Sequence, residues 1–240
     1  RALLNALADG LPQPRPALYK TLEEAGVSTA GQRGYHILYR HSLEGLICIG
    51  PREGKQQTFV LLDAWLPPGK ELSREGALAE LARRYFTSHG PATIKDFIWW
   101  CGLVAAEARA GLEMVKSQLA QEAIEGEVYW FDPAAVIADR VPSPIAHFLP
   151  FVDEYLVAYK DRNAVSPPEY NVLVDSGNII FHQPILIDGL VAGTWTRKLK
   201  KGSVVITTNL LRPLTTAEMD ALAAAAERFG SYLGLSAALE

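Results

Sequence analysis

Two segments, GLPQPRPALYKTLEEAG (10–26) and GPATIKDFIWWCG (90–102), share one order: glycine, proline, a short polar stretch, an amphipathic helix and a closing glycine. Proline is tolerated in the first turn of a helix and glycine is favoured just past its last, so both segments are helices with defined ends. Each has helical sequence on both sides. Before the first, RALLNALADG places Leu3, Leu4 and Leu7 on one helical face. After it, TAGQRGYHILYRHSLEGL (29–46) carries a third helix, and ICIGPREGKQQTFVLL (47–62) sets two apolar runs around a Gly, Pro and charged tip, the pattern of a hairpin. The second segment follows SREGALAELARRYFTSHG (73–90), a helix N-capped by Ser73. It precedes a helix in VAAEARAGLEMVKSQL (104–119) and a tight hairpin in EAIEGEVYWF (122–131) that turns at Glu125-Gly126. The chain therefore predicts two tandem units of about 65–80 residues, each three helices closed by a hairpin.

That order is the winged-helix arrangement, in which the second and third helices can enter a major groove and the hairpin can touch the backbone. The same module also serves for protein–protein contact, and the second unit fits base readout poorly. Its third helix offers Arg109 and Lys116 against Glu107 and Glu113, while Phe97, Ile98, Trp99 and Trp100 read as packing residues. The expected organisation is α+β. Winged helices span 1–66 and 72–131, a linker rich in proline covers 132–150, and a β-barrel-like domain with a terminal helix fills 151–240. In that last domain FVDEYLVAY (151–159) reads as the entry strand, with KDRNA as its turn. NIIFHQPILID (178–188), LVAGTWTRKL (190–199) and SVVITTNLL (203–211) follow as a meander, turning at Asp188-Gly189 and Lys201-Gly202. Thr215 and Glu218 form a capping box that opens a helix over 215–234. The amphipathic helix at residue 1 leads us to expect sequence upstream of Arg1.

Several function classes fall away on the residues. The 240-residue chain has no apolar run near the roughly 18–20 needed to cross a bilayer. It has no secretory signal, and Cys48 and Cys101 have neither CxxC context nor ligand spacing to histidine, which fits a cytoplasmic protein without metal or cofactor. GPREGKQQT (50–58) is no phosphate loop: three residues separate its glycines where four are needed, and Gln56 stands where Ser or Thr would bind magnesium. HExxH, GxSxG and GxGxxG are absent. Adjacent Asp153 and Glu154 would point to opposite faces of a strand and could not act as an acid–base pair. The net charge of −4 argues against a strong nucleic-acid binder, but its distribution is uneven. Between Gly189 and Ala217 there is no acid, while Arg197, Lys198, Lys200, Lys201 and Arg212 all fall there. The hairpin TRKLKKGS (196–203) is thus a candidate phosphate-contacting element.

The strings GLICIGPREGKQQTFVLLD, ELARRYFTSHGPATIKDFIWWCGL, FLPFVDEYLVAYKDR and ILIDGLVAGTWTRK together resemble a large bacterial winged-helix family that includes the AlkZ-like DNA glycosylases. The resemblance spans essentially the whole chain. It implies tandem winged helices and a β-barrel-like domain around a concave, DNA-sized surface, and enzymes that excise alkylated bases or unhook crosslinks. Their catalytic Gln-x-Gln or Gln-x-Asp motif has no counterpart here; the closest glutamines are Gln56-Gln57 in a hairpin, and the motif is expected before Arg1. No catalytic residue is therefore assigned. The expected partner is double-stranded DNA, met by a monomer through Arg15, Arg33, Lys55, Lys160, Arg162, Arg197, Lys198, Lys200 and Lys201, with Asp153 and Tyr155 lining the cleft. For Asp153 and Arg162 a buried ion pair at the domain junction is the alternative. Two other readings stay open: a tandem winged-helix transcriptional regulator and a non-catalytic interaction scaffold.

Overall fold

A computed structural model of the chain describes residues 1–135, 143–173 and 179–240. Its internal contacts divide it into two units, Arg1–Glu71 and Leu72–Glu240. Among the described residues no helix is long and apolar enough to cross a membrane.

The first unit runs α1 (Ala2–Ala6), β1 (Gln13–Pro14), α2 (Arg15–Glu24), α3 (Arg33–Leu43), β2 (Ile47–Ile49), β3 (Thr58–Leu61) and α4 (Leu62–Trp65). Leu3, Leu7, Leu18, Leu22, Leu38 and Ile47 form its core, as the helical spacing of the leucines requires. Pro14 and Pro16 flank Arg15 and hold the entry to α2 without wasting a backbone donor. The short β1, which the proline-rich sequence does not suggest, pairs with β3, giving a sheet ordered β1-β3-β2.

The second unit begins with the same succession. It comprises α5 (Arg74–His89), β4 (Ala92–Thr93), α6 (Ile94–Cys101), α7 (Ala105–Val115), β5 (Ala120–Ile124) and β6 (Glu127–Phe131), with a sheet ordered β4-β6-β5. Ser73 caps α5 through the Gly76 amide, and α6 starts on a capping box between Thr93 and Asp96 and stops at Gly102, whose φ of 66° is the left-handed conformation glycine tolerates. Tyr85, Phe86 and Phe97 are fully buried in this core.

The rest of the second unit comprises β7 (Ala146–Phe148), α8 (Glu154–Val157), β8 (Pro184–Ile187), β9 (Leu190–Lys200), β10 (Ser203–Leu210), α9 (Thr216–Leu233) and β11 (Ser236–Leu239). The five strands form a curled half-barrel in the order β11-β10-β9-β8-β7, with β11 parallel to β10 and the other pairs antiparallel. Among the described residues this sheet does not close on itself, with β7 and β11 as edges, and α9 packs its Leu222, Ala225 and Ala226 against Ile185, Ile187, Trp195, Val204 and Ile206 on one face. The other face carries a smaller core of Leu156, Ile179, Leu186 and Val191.

Three expectations change. FVDEYLVAY is not a strand. Asp153 accepts the Tyr155 amide at 2.8 Å and caps a helical turn, α8, so a local side-chain bond overrides the β-prone composition. NIIFHQPILID is divided, a 3-10 turn over Ile179–Phe181 preceding β8, because Pro184 cannot donate to a ladder and is accommodated as the first residue of its strand. The proline-rich stretch 132–150 contributes β7 to the sheet; residues 136–142 of it, and residue 178 of the next segment, lie outside the described residues.

Candidate nucleic-acid interface

Strand alternation divides the basic cluster of β9. A bulge marks the pairing of β8 with β9 at Ile185/Leu186. Beyond it the side chains alternate regularly, and Arg197 pairs with Ile206 while Lys198 pairs with Val205 and Lys200 with Ser203. Ile206 belongs to the core beneath α9, so Arg197 lies on that face. Its guanidinium carbon stands 5.5 Å from the Phe229 ring centroid and 5.9 Å from that of Trp195. Each such contact is worth about 0.5–1 kcal/mol at a partly exposed site. Thr196, Lys198 and Lys200 line the opposite face with Ser203 and Thr207, and Lys201 sits in the turn beside Gly202. Both lysines of the strand and Lys201 are exposed, and none of the three forms an ion pair among the described residues. The backbone of Glu240 bonds to Ile206 and Thr208.

In the first unit, Arg15 and Lys55 come together. Pairing of Gln13 with Phe59 and Pro14 with Thr58 lays the start of α2 alongside the hairpin, and the two cations line a groove with Pro16, Arg52, Gln56, Gln57 and Phe59. Arg33 is elsewhere, at the first residue of α3, against a hollow lined by Arg1, Leu22, Val27, Ile37 and His41.

The DEYLVAYKDR stretch meets α5 and α6. Trp99 Nε1 donates to the Val157 carbonyl at 2.9 Å, Tyr85 Oη to Ala158 at 3.1 Å, and Tyr159 Oη to His89 at 2.8 Å. The buried Asp96 accepts from the amide of Lys160 at 2.9 Å while also holding Thr93. Arg162 donates through Nε to the Leu156 carbonyl at 2.8 Å and lies 5.7 Å from the Trp99 ring centroid; burial pulls its guanidinium below the usual range. No Asp153–Arg162 pair forms: Asp153 caps α8 and Arg162 folds over Trp99. Tyr155 Oη donates to the Gly189 carbonyl at 2.9 Å, tying α8 to the β8–β9 turn, and burial raises its phenol above the ordinary value. The Lys160 side chain is exposed.

One polar cluster escaped sequence reasoning. His89 stacks on Tyr85 at 4.9 Å and 9°, and its Nε2 lies 3.1 Å from Glu154 Oε1, which also accepts from Trp100 Nε1 at 2.6 Å. Ser88 Oγ is 2.8 Å from His89 Nδ1, an order of groups that a nucleophile relay uses. The Ser88 hydroxyl also reaches the Arg84 carbonyl at 2.7 Å, as a helical serine commonly does, and that oxygen competes with the imidazole for its one proton. The cluster pins α8 to α5. The only local cue was a histidine ending a helix; Glu154 lies too far along the chain for any spacing rule to connect them. Among the described residues no group of three or more His, Cys, Asp or Glu could hold a metal ion.

Comparison with known proteins bears on the whole chain. The family model described as "DNA glycosylase AlkZ-like" matches residues 1–232. The solved structure of the Streptomyces sahachiroi DNA glycosylase AlkZ superposes with a TM-score of 0.67 at 21% identity, over 99% of this chain and 67% of that one. No curated protein matches significantly. Since the family match runs from the first residue almost to the last, the chain belongs to the AlkZ-like DNA glycosylase family.

Proposed function

We propose that this chain is the duplex-gripping part of a DNA glycosylase, with two winged-helix modules and a half-barrel holding DNA for excision of an alkylated or crosslinked base. The matching helix–strand–helix–helix–hairpin order of the two modules supports the winged-helix assignment. The single observation that carries the grip is the face of the β9–β10 hairpin away from α9, where Lys198, Lys200 and Lys201 stand exposed and, among the described residues, without carboxylate partners beside Thr196 and Thr207. Such a face meets phosphates by charge and by hydroxyl hydrogen bonds, without reading bases. Arg197 lies on the opposite face, toward α9, where its guanidinium rests against Phe229 and Trp195 and serves as scaffold.

A glycosylase must stabilise an oxocarbenium-like sugar and position water beside it, commonly with an amide or carboxylate. The chain contains no Gln-x-Gln or Gln-x-Asp triplet, so no catalytic residue is assigned in it and the residues named here are assigned the grip. The accessible side of α7 presents Arg109 among Ala105, Ala106, Ala110 and Glu113, a weak surface for operator readout, which favours a repair role over a regulator.

Binding of the chain to an undamaged 20-base-pair duplex across a salt series tests the grip. Lys198→Glu with Lys200→Glu should make the slope of log affinity against log salt shallower by about 2, while Arg197→Ala should lower stability and leave the slope in place. An unchanged slope in the double lysine variant refutes the assignment. Release of base from alkylated duplex by the whole protein tests the chemistry.

A further inference from the structure

The groove of the first unit asks for an occupant. It is an open groove of about 420 Å³, lined by Arg15, Arg52 and Lys55, the amides of Gln56 and Gln57, and the faces of Pro16 and Phe59. Among the described residues none of the three cations forms an ion pair, and neither amide side chain makes a hydrogen bond. Glu53, the one acid of the hairpin tip, does not line the groove. Three cations around one groove and no acid in its lining favour an anion there.

The walls are fixed by the fold. The tip is a tight turn in which the Glu53 and Gln56 amides each donate to the other's carbonyl, at 3.1 and 3.0 Å, with Gly54 at φ 59° and Lys55 between them. Below it, the buried Thr58 hydroxyl donates to the Pro51 carbonyl, and the Gly50 amide donates to Thr58 at 2.9 Å. Opposite, Arg15 is held between Pro14 and Pro16 by the β1–β3 pairing. Three exposed cations and two exposed neutral amides, carried on elements locked by the same sheet, form a recognition pattern for a phosphate group: several hydrogen-bond donors and no acidic lining.

We infer that the groove between the start of α2 and the β2–β3 hairpin is a phosphate site that takes a phosphodiester of the DNA backbone, separate in sequence and in element from the β9–β10 grip. The backbone assignment rests on the duplex-binding role proposed above; the anion chemistry does not. Arg52 and Gln57 are the residues it adds to Arg15 and Lys55, with Gln56 completing the donor set.

The test uses the full chain and its R52Q/K55Q variant, both of whose substitutions are at exposed tip positions, with folding checked by circular dichroism. Inorganic pyrophosphate titrated into isotope-labelled protein should shift the Arg52–Gln57 amide signals at millimolar concentration in the parent and not in the variant. The variant's duplex salt slope should be shallower by about 2, with Lys198 and Lys200 intact. A variant that keeps the parent slope while losing the pyrophosphate shifts overturns the backbone source and leaves a free-phosphate site. A parent that shows no pyrophosphate shift, with a slope unchanged in the variant, overturns the site. A shallower slope in R52Q/K55Q beside no change in the Lys198/Lys200 variant upholds this site and defeats the β9–β10 grip instead.

Discussion

Replacing Asp96 with alanine should be the most damaging polar substitution in the second unit. The residue is 5% exposed. One carboxylate oxygen accepts the Thr93 amide at 2.9 Å and its hydroxyl at 2.7 Å; the other accepts the Lys160 amide at 2.9 Å, with the Asp161 amide at 3.5 Å. Loss of the capping box costs about 1 kcal/mol. Leaving the partly buried Lys160 amide without an acceptor adds about 1–3 kcal/mol, so Asp96→Ala should cost about 2–4 kcal/mol. For a unit of this size that lowers Tm by roughly 4–16 °C. Thr93→Ala isolates the first part: it removes the hydroxyl but leaves Asp96 holding Lys160, and should cost about 1 kcal/mol. Urea unfolding followed by tryptophan fluorescence reports on this region directly, since Trp99 and Trp100 contact Val157 and Glu154. If Asp96→Ala costs no more than Thr93→Ala, the link to Lys160 contributes nothing and the reasoning fails.

Arg162→Ala should lower stability by about 1–3 kcal/mol, through loss of the bond to Leu156 and the contact with Trp99, while the salt slope of duplex binding stays that of the parent; a shallower slope would return Arg162 to the phosphate contacts. Gly193→Ala should destabilise the half-barrel and shift its unfolding midpoint downward in urea, because an added Cβ would stand 2.6 Å from the Asn209 carbonyl oxygen; a midpoint equal to the parent's refutes that close approach. Acid should weaken the terminal helix in a defined window. The Arg212 guanidinium, aided by the Thr215 amide, holds the Glu218 carboxyl down at about 2, below its unfolded value of about 4.3. The bond therefore contributes fully above about pH 5 and is lost as pH falls toward 2, and Glu218→Gln should flatten the pH dependence of Tm over that range.

The succession of elements was legible because each end carries its own chemistry. Ser73 and Thr215 with Glu218 announce helix starts, while Glu125-Gly126 and Asp188-Gly189 take positive φ at both turn positions, as two-residue hairpins demand. What was hidden depended on distant partners. The strands β1 and β4 are two residues each and exist only because β3 and β6 pass beside them. The strand β11 is defined by a parallel neighbour, β10. In DEYLVAY the aromatic and β-branched composition favoured a strand, and the Asp153 cap decided otherwise. The basic residues of 197–201 were legible as a cluster, but which of them faces Phe229 was settled by the register with β10 and the packing of α9.

The contacts of residues 154–162 give a structural task to many of the polar and aromatic groups that crowd this stretch. Trp99 and Tyr85 donate to successive carbonyls, Val157 and Ala158, and Asp96 accepts the amide of Lys160 two residues on. In the opposite direction, Tyr159 donates to the His89 carbonyl. Each bond joins one side chain to main chain, so the path of the backbone is held whatever side chains Val157, Ala158 and Lys160 present. Glu154, bonded to both His89 and Trp100, and Tyr155, bonded to Gly189, then fix α8 between α5 and the turn that leads into β9. The duplex grip proposed for the β9–β10 hairpin requires that hairpin to be held at a set position against the neighbouring helical module, and the carboxylates and aromatic rings of this stretch supply that rigidity.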